Sequence, residues 1–280
     1  MKHHNRQLAL GCVAALLSMT QVQALDVNVN SASGIQSAID TVAAAGGGNV
    51  NIAGGAYTIT STIKLKSQVT VAGAGNPATT LNASGNFDVF QQSAEGLSNV
   101  TIKNLKIVGK HDPNCHGIIV ESLGTYHTNV NLTNVQIRDC GMGSHLKRVN
   151  GGAVSSCNIH TNGTYSGTLG FQNLYVRNVD NYTVVGTSMS YCSTSSGCHI
   201  GGVCNTVDFR SNTLNNNFQY GINVTDTPTN LMIRYNTCNY NNEYGIVAWS
   251  GSGSIYQNTA LGNGTAGYLI YGSYSQSGNQ

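Results

Sequence analysis

The sequence predicts an all-β chain that folds as a single domain, a right-handed parallel β-helix with three short strands in each coil of about 22–24 residues. The first reason is a short motif that recurs at steps of 24, 24 and 22 residues, around Gly197, Gly221, Gly245 and Gly267. Fixed periods of this length are typical of solenoids. The second reason is that each repeat reads as short alternating segments between Asn and Gly turns, without a helical pattern. The third is the composition: 34 Gly, 34 Asn and only 9% charged residues among 280 exclude a coiled coil, a helical bundle and a charged disordered chain.

The amino-terminal segment predicts export. Residues 1–7 are basic, residues 8–19 are apolar and residues 22–24 form a small-residue cleavage site, which is the pattern of a bacterial-type signal peptide. We therefore expect residues 1–24 to be removed and residues 25–280 to form the β-helix domain of a secreted protein, extracellular or periplasmic. No later run approaches the ~18 apolar residues of a membrane span, so none is expected.

The mature chain is expected to carry no net charge and an odd number of cysteines. Removal of Lys2 and Arg6 leaves 11 Lys+Arg against 11 Asp+Glu, which is unlike the basic field of a nucleic-acid-binding protein. An odd number of cysteines leaves at least one thiol without an internal partner in an oxidising compartment. No CxxC pair is present, so no zinc site is expected. The seven cysteines after the signal peptide are Cys115, Cys140, Cys157, Cys192, Cys198, Cys204 and Cys238.

A short helix is predicted to cap the amino-terminal end of the solenoid, where an open β edge would otherwise invite aggregation. The segment Ser33–Ala45 places Ile35, Ile39 and Val42 on one helical face. Ser33 is the expected N-cap, and the three glycines at 46–48 are expected to end the helix.

The repeats predict which side chains point into the coil. Strand alternation places Ile222, Val224, Ile246 and Ala248 inward and Asn223 and Val247 outward, so that a charge should be tolerated at position 247. Asn residues repeated at one turn position are expected to form a ladder of side-chain hydrogen bonds along the stack. The coils are predicted to run from about Val27 to about Tyr271.

The opening of the mature chain resembles a known superfamily. IQSAIDTVAAAGGGNVNIAGGAYTIT, LKSQVTVAGAG and TTLNASG are similar to the first coils of secreted β-helix enzymes that act on polysaccharides, among them pectate-lyase-like proteins, polygalacturonase relatives and mannuronan C5-epimerases. The resemblance implies a polysaccharide partner bound along an outward face of parallel strands. The same superfamily holds phage tailspikes and adhesins, so it implies the fold more specifically than the activity.

The candidate site consists of outward-facing side chains at equivalent positions of successive coils. Parallel strands stack about 4.8 Å apart, so side chains at equivalent positions of several coils can meet one sugar chain. We expect His145, Lys147 and His199 to be catalytic. The expected substrate-binding residues are His116, Arg148, Lys110, Asp112, Glu121, Asn223 and Asp226. A second basic column is expected to make surface and turn hydrogen bonds, and it comprises Arg138, His160, Arg210 and Arg234.

The residue types favour proton abstraction over hydrolysis. A glycoside hydrolase needs two carboxylates across the scissile bond, and the paired Asp of polygalacturonases is absent from the sequence. A lyase or an epimerase instead needs a base, an acid and a cation that neutralises the uronate carboxylate. In mannuronan epimerases an Asp-Pro-His motif follows a segment similar to residues 135–143; here Ser144–Lys147 matches its His with His145 but lacks the Asp and the Pro.

The favoured function is therefore a lyase that cleaves an acidic, uronate-containing polysaccharide by β-elimination. The alternatives are a C5-epimerase of the same chemistry, a glycoside hydrolase, and a non-catalytic β-helix that binds glycans or serves as a surface structure. No cofactor and no metal are expected. Calcium stays open as an alternative, although Asp139, Asp180 and Asp208 are scattered along the sequence rather than clustered. The protein is expected to be a monomer.

Overall fold

A computed structural model describes residues 24–166 and 169–280. Except for Ala24, the predicted signal peptide lies outside the described residues. In the part of the chain that is described, no helix is long and apolar enough to cross a membrane.

One helix, α1 (Ala32–Ala44), packs at the amino-terminal end and buries Ile35, Ile39 and Val42, as predicted. The expected N-cap, Ser33, is wrong. Ser31 has the extended backbone of a cap, and its hydroxyl accepts a hydrogen bond from the Gly34 amide at 3.3 Å. The helix begins at Ala32, directly after Ser31, so Ser33 lies within the first helical turn and cannot be the cap.

The rest of the described chain is strands and turns. In chain order the strands are β1 (Leu25–Val29), β2 (Gly48–Ile52), β3 (Gly55–Ile59), β4 (Ile63–Leu65), β5 (Val69–Gly73), β6 (Thr79–Ala83), β7 (Phe90–Gln92), β8 (Ser98–Val108), β9 (Ile118–Glu121), β10 (His127–Arg138), β11 (Ser144–Lys147), β12 (Val149–Ser155), β13 (Asn158–His160), β14 (Tyr165–Ser166), β15 (Leu169–Gly170), β16 (Leu174–Arg177), β17 (Asp180–Val185), β18 (Cys198–Gly201), β19 (Asn205–Arg210), β20 (Ile222–Val224), β21 (Leu231–Arg234), β22 (Tyr244–Ala248), β23 (Ser252–Tyr256), β24 (Ala266–Ile270) and β25 (Ser273–Ser277).

These strands form two long parallel sheets. The first sheet runs β1-β2-β5-β8-β10-β12-β17-β19-β21-β23-β25, with β3, β6 and β13 paired beside this path. The second sheet, which we call the site sheet, runs β4-β7-β9-β11-β16-β18-β20-β22-β24. A third face consists of single bridges that link Asn158, Ser188, Thr213, Thr237 and Thr259. Because successive coils add strands in chain order, the chain is a parallel β-helix, as predicted, and β14 and β15 form an antiparallel excursion from it.

The interior of the coil is a continuous apolar core. Ile222, Val224, Ile246 and Ala248 are fully buried, as predicted. The expectation that Val247 tolerates a charge is wrong. Val247 pairs in register with Asn223 but is fully buried, so a charge at this position should destabilise the fold. Val247 is not part of the contact cluster inside the coil, which indicates that neighbouring side chains cover it from outside.

Asparagine ladders run along two turns of the stack. Asn212 donates to Asn236 at 3.1 Å and Asn236 donates to Asn258 at 3.0 Å, side chain to side chain. A second ladder joins Asn217 to Asn241 at 2.9 Å. The ladder prediction is confirmed. The buried amides satisfy the main chain at turns that could not otherwise reach water.

The coils extend slightly beyond the predicted limits, from Leu25 to Ser277. Strand β25 carries an exposed polar sequence, so it lacks the apolar alternation that marks the other strands. Its main chain pairs with β23 all the same.

The seven cysteines among the described residues are buried free thiols. Cys115 and Cys140 lie side by side, and a hydrogen bond from the Cys140 thiol, the largest influence, lowers the pKa of Cys115 to about 7.

Candidate functional site

The centre of the site sheet carries three stacked rings on its outward side. Parallel pairing places His145 opposite Tyr175 and Tyr175 opposite His199 in consecutive coils. The His145 and Tyr175 centroids are 4.8 Å apart with planes 7° from parallel, and those of Tyr175 and His199 are 4.5 Å apart at 14°. These distances match the ~4.8 Å spacing between strands, so sheet register alone brings the rings into contact. We call these three residues the ring stack.

A column of charged side chains lies two residues further along the same strands. Register aligns Glu121, Lys147, Arg177 and Gly201, and we call the first three the charge column. Glu121 Oε2 lies 3.8 Å from His145 Nδ1 and 4.0 Å from Lys147 Nζ. Two cations and one carboxylate therefore line one edge of the ring stack.

His145 is held neutral by its surroundings. Burial, followed by the charges of Lys147, His116 and Arg177, lowers the pKa of His145 to about 4. Its Nε2 is buried without a hydrogen-bond partner. Near neutral pH the imidazole is therefore an unprotonated base beside two cations, which is the state that proton abstraction requires.

His199 ends a short hydrogen-bonded chain. Its Nε2 lies 2.8 Å from the Thr225 hydroxyl, which donates to Asp226 at 3.3 Å. Asp226 also accepts a hydrogen bond from the Gly202 amide at 2.6 Å. Burial is the largest influence on His199 and lowers its pKa to about 4, although the Asp226 charge opposes this. The chain fixes the orientation of the His199 ring beneath Tyr175.

The Tyr175 hydroxyl lies against a glycine. A Cβ built at Gly201 would be 3.2 Å from both the hydroxyl oxygen and a ring carbon of Tyr175, and 3.3 Å from the Thr225 hydroxyl. Burial raises the pKa of Tyr175, so the phenol keeps its proton. Gly201 thus leaves room at the edge of the charge column for a neutral hydroxyl that can donate.

The other predicted site residues lie at different distances from this centre. Asn223 follows His199 in register, and its Oδ1 is buried without a partner. His116 precedes β9 at the rim rather than sharing the strand phase. Its Nδ1 lies 2.6 Å from Asp88 Oδ1, and its ring meets the edge of Phe171 at 5.5 Å.

Arg148, Lys110 and Asp112 are not brought to the ring stack. Arg148 has a left-handed backbone at the turn after β11, donates to the Gly124 carbonyl at 3.1 Å and lies over the Tyr126 ring. Lys110 is exposed in the loop before β9. The Asp112 carboxylate accepts hydrogen bonds from the Asn86 side chain at 2.8 Å and the Asn114 amide at 2.9 Å, which hold that loop.

The second basic column is paired, as expected for surface hydrogen bonding. Arg138 lies 2.7 Å from Asp139, whereas Asp208 binds Arg210 at 2.9 Å and Arg234 at 2.8 Å. Among the described residues no group of three or more His, Cys, Asp or Glu side chains is arranged to hold a metal ion.

Sequence reasoning missed Tyr175 and Arg177. Their strand has the same alternation as Ser144–Lys147, but Asn173 stands where the other copies have Gly, and the step from His145 to Tyr175 is 30 residues because the β14–β15 excursion intervenes. The alternation Leu-Tyr-Val-Arg itself was the available signal.

Comparison with known proteins identifies the architecture. Residues 127–279, more than half of the chain, match a family model described as a right handed beta helix region. No curated protein matches the sequence. The A-module of a mannuronan C-5 epimerase from Azotobacter vinelandii superposes with a TM-score of 0.57 at 17% identity, over 86% of this chain and 75% of the module.

Two further solved structures are similar. The Streptococcus pneumoniae surface protein and adhesin PfbA gives a TM-score of 0.65 at 12% identity, over 92% of this chain and 97% of that one. The Dettilon tailspike protein gives 0.62 at 15% identity, over 91% of this chain and 61% of the tailspike. At these identities the likeness concerns the fold.

Proposed function

The chain belongs to the right-handed β-helix family, and from that premise we propose that it is a secreted enzyme that cleaves a uronate-containing polysaccharide by β-elimination. The observation that carries the proposal is the neutral His145, with a pKa of about 4, beside the cations Lys147 and Arg177 on an outward face. The predicted signal peptide supports secretion.

The charge column is suited to bind the uronate carboxylate. Lys147 and Arg177 are adjacent in register, and their positive charges favour the negative charge that develops when a proton leaves C5. Arg148, which the sequence predicts to bind substrate, is not given this role, because it is engaged by Gly124 and Tyr126.

His145 is the proposed base. Its Nδ1 accepts the C5 proton, while the buried Nε2 keeps the proton of the neutral ring. Glu121, 3.8 Å from Nδ1, stabilises the imidazolium that forms. A bound carboxylate also offsets the charges of Lys147 and Arg177, so the pKa of His145 rises on substrate binding, which makes it a stronger base in the complex.

Tyr175 is the proposed acid. The C4–O bond breaks as the C4–C5 double bond forms, and the leaving oxygen takes the phenolic proton at the edge above Gly201. After the reaction His145 releases its proton to water and Tyr175 takes a proton from water, which returns both side chains to their starting states. His199 positions the Tyr175 ring by stacking, and Thr225 and Asp226 hold His199.

A C5-epimerase is the second candidate, supported by the structural likeness to the mannuronan C-5 epimerase module. It would share the proton abstraction but return a proton to the opposite face of C5, with no bond cleaved. Hydrolysis is less well supported. Glu121 lies beside the proposed base, but Asp226, the other carboxylate that the described residues place near the ring stack, already accepts hydrogen bonds from Thr225 and the Gly202 amide.

The test is incubation with polymannuronate, polyguluronate and polygalacturonate, with ultraviolet absorbance to follow the unsaturated product. We expect His145→Ala, Lys147→Ala and Tyr175→Phe each to lower turnover ~10²–10⁴-fold while the protein stays folded. Arg234→Ala, in the second basic column, is the control and should keep full activity. Deuterium uptake at C5 from heavy water, without an increase in ultraviolet absorbance, would indicate epimerisation. Binding without either change would refute the catalytic proposal in favour of a glycan-binding role.

A further inference from the structure

Two exposed aromatic rings lie at the carboxy-terminal end of the site sheet. Trp249 is 44% exposed and Tyr271 is 67% exposed. Their centroids are 5.8 Å apart and their planes differ by 18°, so the rings are stacked on one another. Single exposed apolar side chains are common on protein surfaces. An exposed stacked pair is different, because the exposed parts of the two rings adjoin and form one apolar patch.

The pair continues the line of the charge column. Beyond Gly201 the main-chain ladder runs through Thr225, Trp249 and Tyr271: the Thr225 amide donates to Ile200, the Trp249 amide to Val224 and the Tyr271 amide to Ala248, at 2.8–3.0 Å. Alternation from the buried Val224 and Ala248 directs the side chains that follow outward. The 2.8 Å contact of Thr225 with His199 fixes this as the outward side that carries the ring stack.

We propose that Trp249 and Tyr271 form a distal sugar-binding subsite, in which apolar C–H groups of a pyranose ring of the polysaccharide pack against the exposed parts of the two stacked aromatic rings. The inference rests on the proposed function for the identity of the glycan that passes the ring stack. Trp249 is three coils beyond Arg177, or ~14 Å at the spacing of parallel strands. A glycan lying along the solenoid axis therefore reaches both places at once, and a short one reaches only the charge column.

The chemistry of the pair fits a sugar better than a protein. The two rings carry no charge, so they suit the apolar face of a pyranose rather than its carboxylate, which the cations of the charge column attract. A stable protein interface buries more than about 1,000 Å², whereas this surface consists of two side chains. The subsite would add affinity for long substrates without touching the reacting atoms.

The chain provides its own probe, because Trp249 is its single tryptophan. Intrinsic fluorescence should change when tetra- and hexasaccharides of the preferred uronate are added to the inactive Tyr175→Phe protein, and it should not change with the disaccharide. In the active protein, Trp249→Ala and Tyr271→Ala should each raise KM for the polymer about three- to tenfold, with kcat unchanged. The control is Tyr240→Ala, which removes a tyrosine that is 62% exposed but lies outside this column.

The outcomes separate this inference from the proposed function. Product formation with unchanged Trp249 fluorescence and unchanged KM in both variants would overturn the subsite and leave the lyase standing. A fluorescence response to a uronate or a neutral glycan, lost in Tyr271→Ala, would support the subsite even if no uronate polymer were cleaved. A rise in KM in Tyr240→Ala equal to that in the two subsite variants would refute the subsite. A change of oligomeric state in Trp249→Ala would also refute it, in favour of a contact between two copies of the chain.

Discussion

Acid should destabilise this protein through the two imidazoles of the ring stack, and His145→Gln should remove part of that effect. The pKa of His145 is about 4 in the folded protein, because burial and neighbouring cations oppose its charge, whereas an unfolded histidine has a pKa of about 6.5. Below pH 6.5 the unfolded chain therefore binds a proton that the folded chain does not. The contribution of His145 to the free energy of unfolding is therefore fully present above pH 6.5. It is lost as the pH falls from 6.5 to 4, and below pH 4 this group causes no further loss.

The magnitude follows from the difference between the two pKa values. It corresponds to ~3 kcal/mol for His145 when the loss is complete, with most of it reached by pH 4.5. His199, whose pKa is also about 4, contributes a loss of the same sign and order. Both side chains are largely buried, so solvent screening reduces these figures less than it would at the surface.

The measurement is urea unfolding at pH 7 and pH 4.5. His145→Gln should keep ~2–3 kcal/mol more of its stability than the wild type over this interval, and His145→Gln combined with His199→Gln should keep more again. Thr128→Ser, an exposed substitution on the other long sheet, should lose stability with acid as the wild type does. An equal acid loss in the wild type and in His145→Gln would show that His145 is not held neutral in the folded protein, and the proposed base would then be wrong.

Three further predictions concern activity and packing. First, kcat/KM should fall only as the pH drops toward about 4, because His145 must be unprotonated, and a profile that falls near pH 6.5 would contradict this. Second, Gly201→Ala should lower kcat at least tenfold with little loss of stability, since the new Cβ would come 3.2 Å from the Tyr175 hydroxyl; full activity would argue against Tyr175 as the acid. Third, Asn236→Ala should cost ~2–5 kcal/mol in urea unfolding, because it leaves the buried groups that bond to Asn236 without partners. The exposed Asn242→Ala should cost little, and similar losses in both would refute the role of the ladder.

The fold could be predicted because its signals are local and repeated. Each signal can be recognised in a short segment of sequence: the two-residue alternation around Ile222 and Ile246, the repeated Asn of the ladder, and the apolar face of the capping helix. Val247 could not be predicted, since its burial depends on side chains that cover the sheet from outside the coil. The position of the N-cap was wrong by two residues, because Ser31 and Ser33 are both chemically able to cap.

The candidate site was predictable only in part, for a physical reason. His145, Lys147 and His199 lie on strands that begin after Gly, so the repeat marks them. Tyr175 lies on a strand that follows Asn173 and comes after an excursion of irregular length. A repeat interrupted in this way still stacks in register, because strand pairing depends on the main chain rather than on the number of residues between coils.

Stacking one coil on the next also explains why the destabilising groups of the site can persist. Each coil contacts only its neighbours, so the cost of two neutral buried imidazoles and of the unpartnered Nε2 of His145 is confined to three adjacent coils. The same coils are held on their other faces by the continuous apolar core and by buried asparagine amides such as that of Asn162, which bonds to Asn173 and to the Ile137 carbonyl. Because these other faces supply the stability, the site can hold a base in an unprotonated state, as the proposed abstraction of a C5 proton near neutral pH requires.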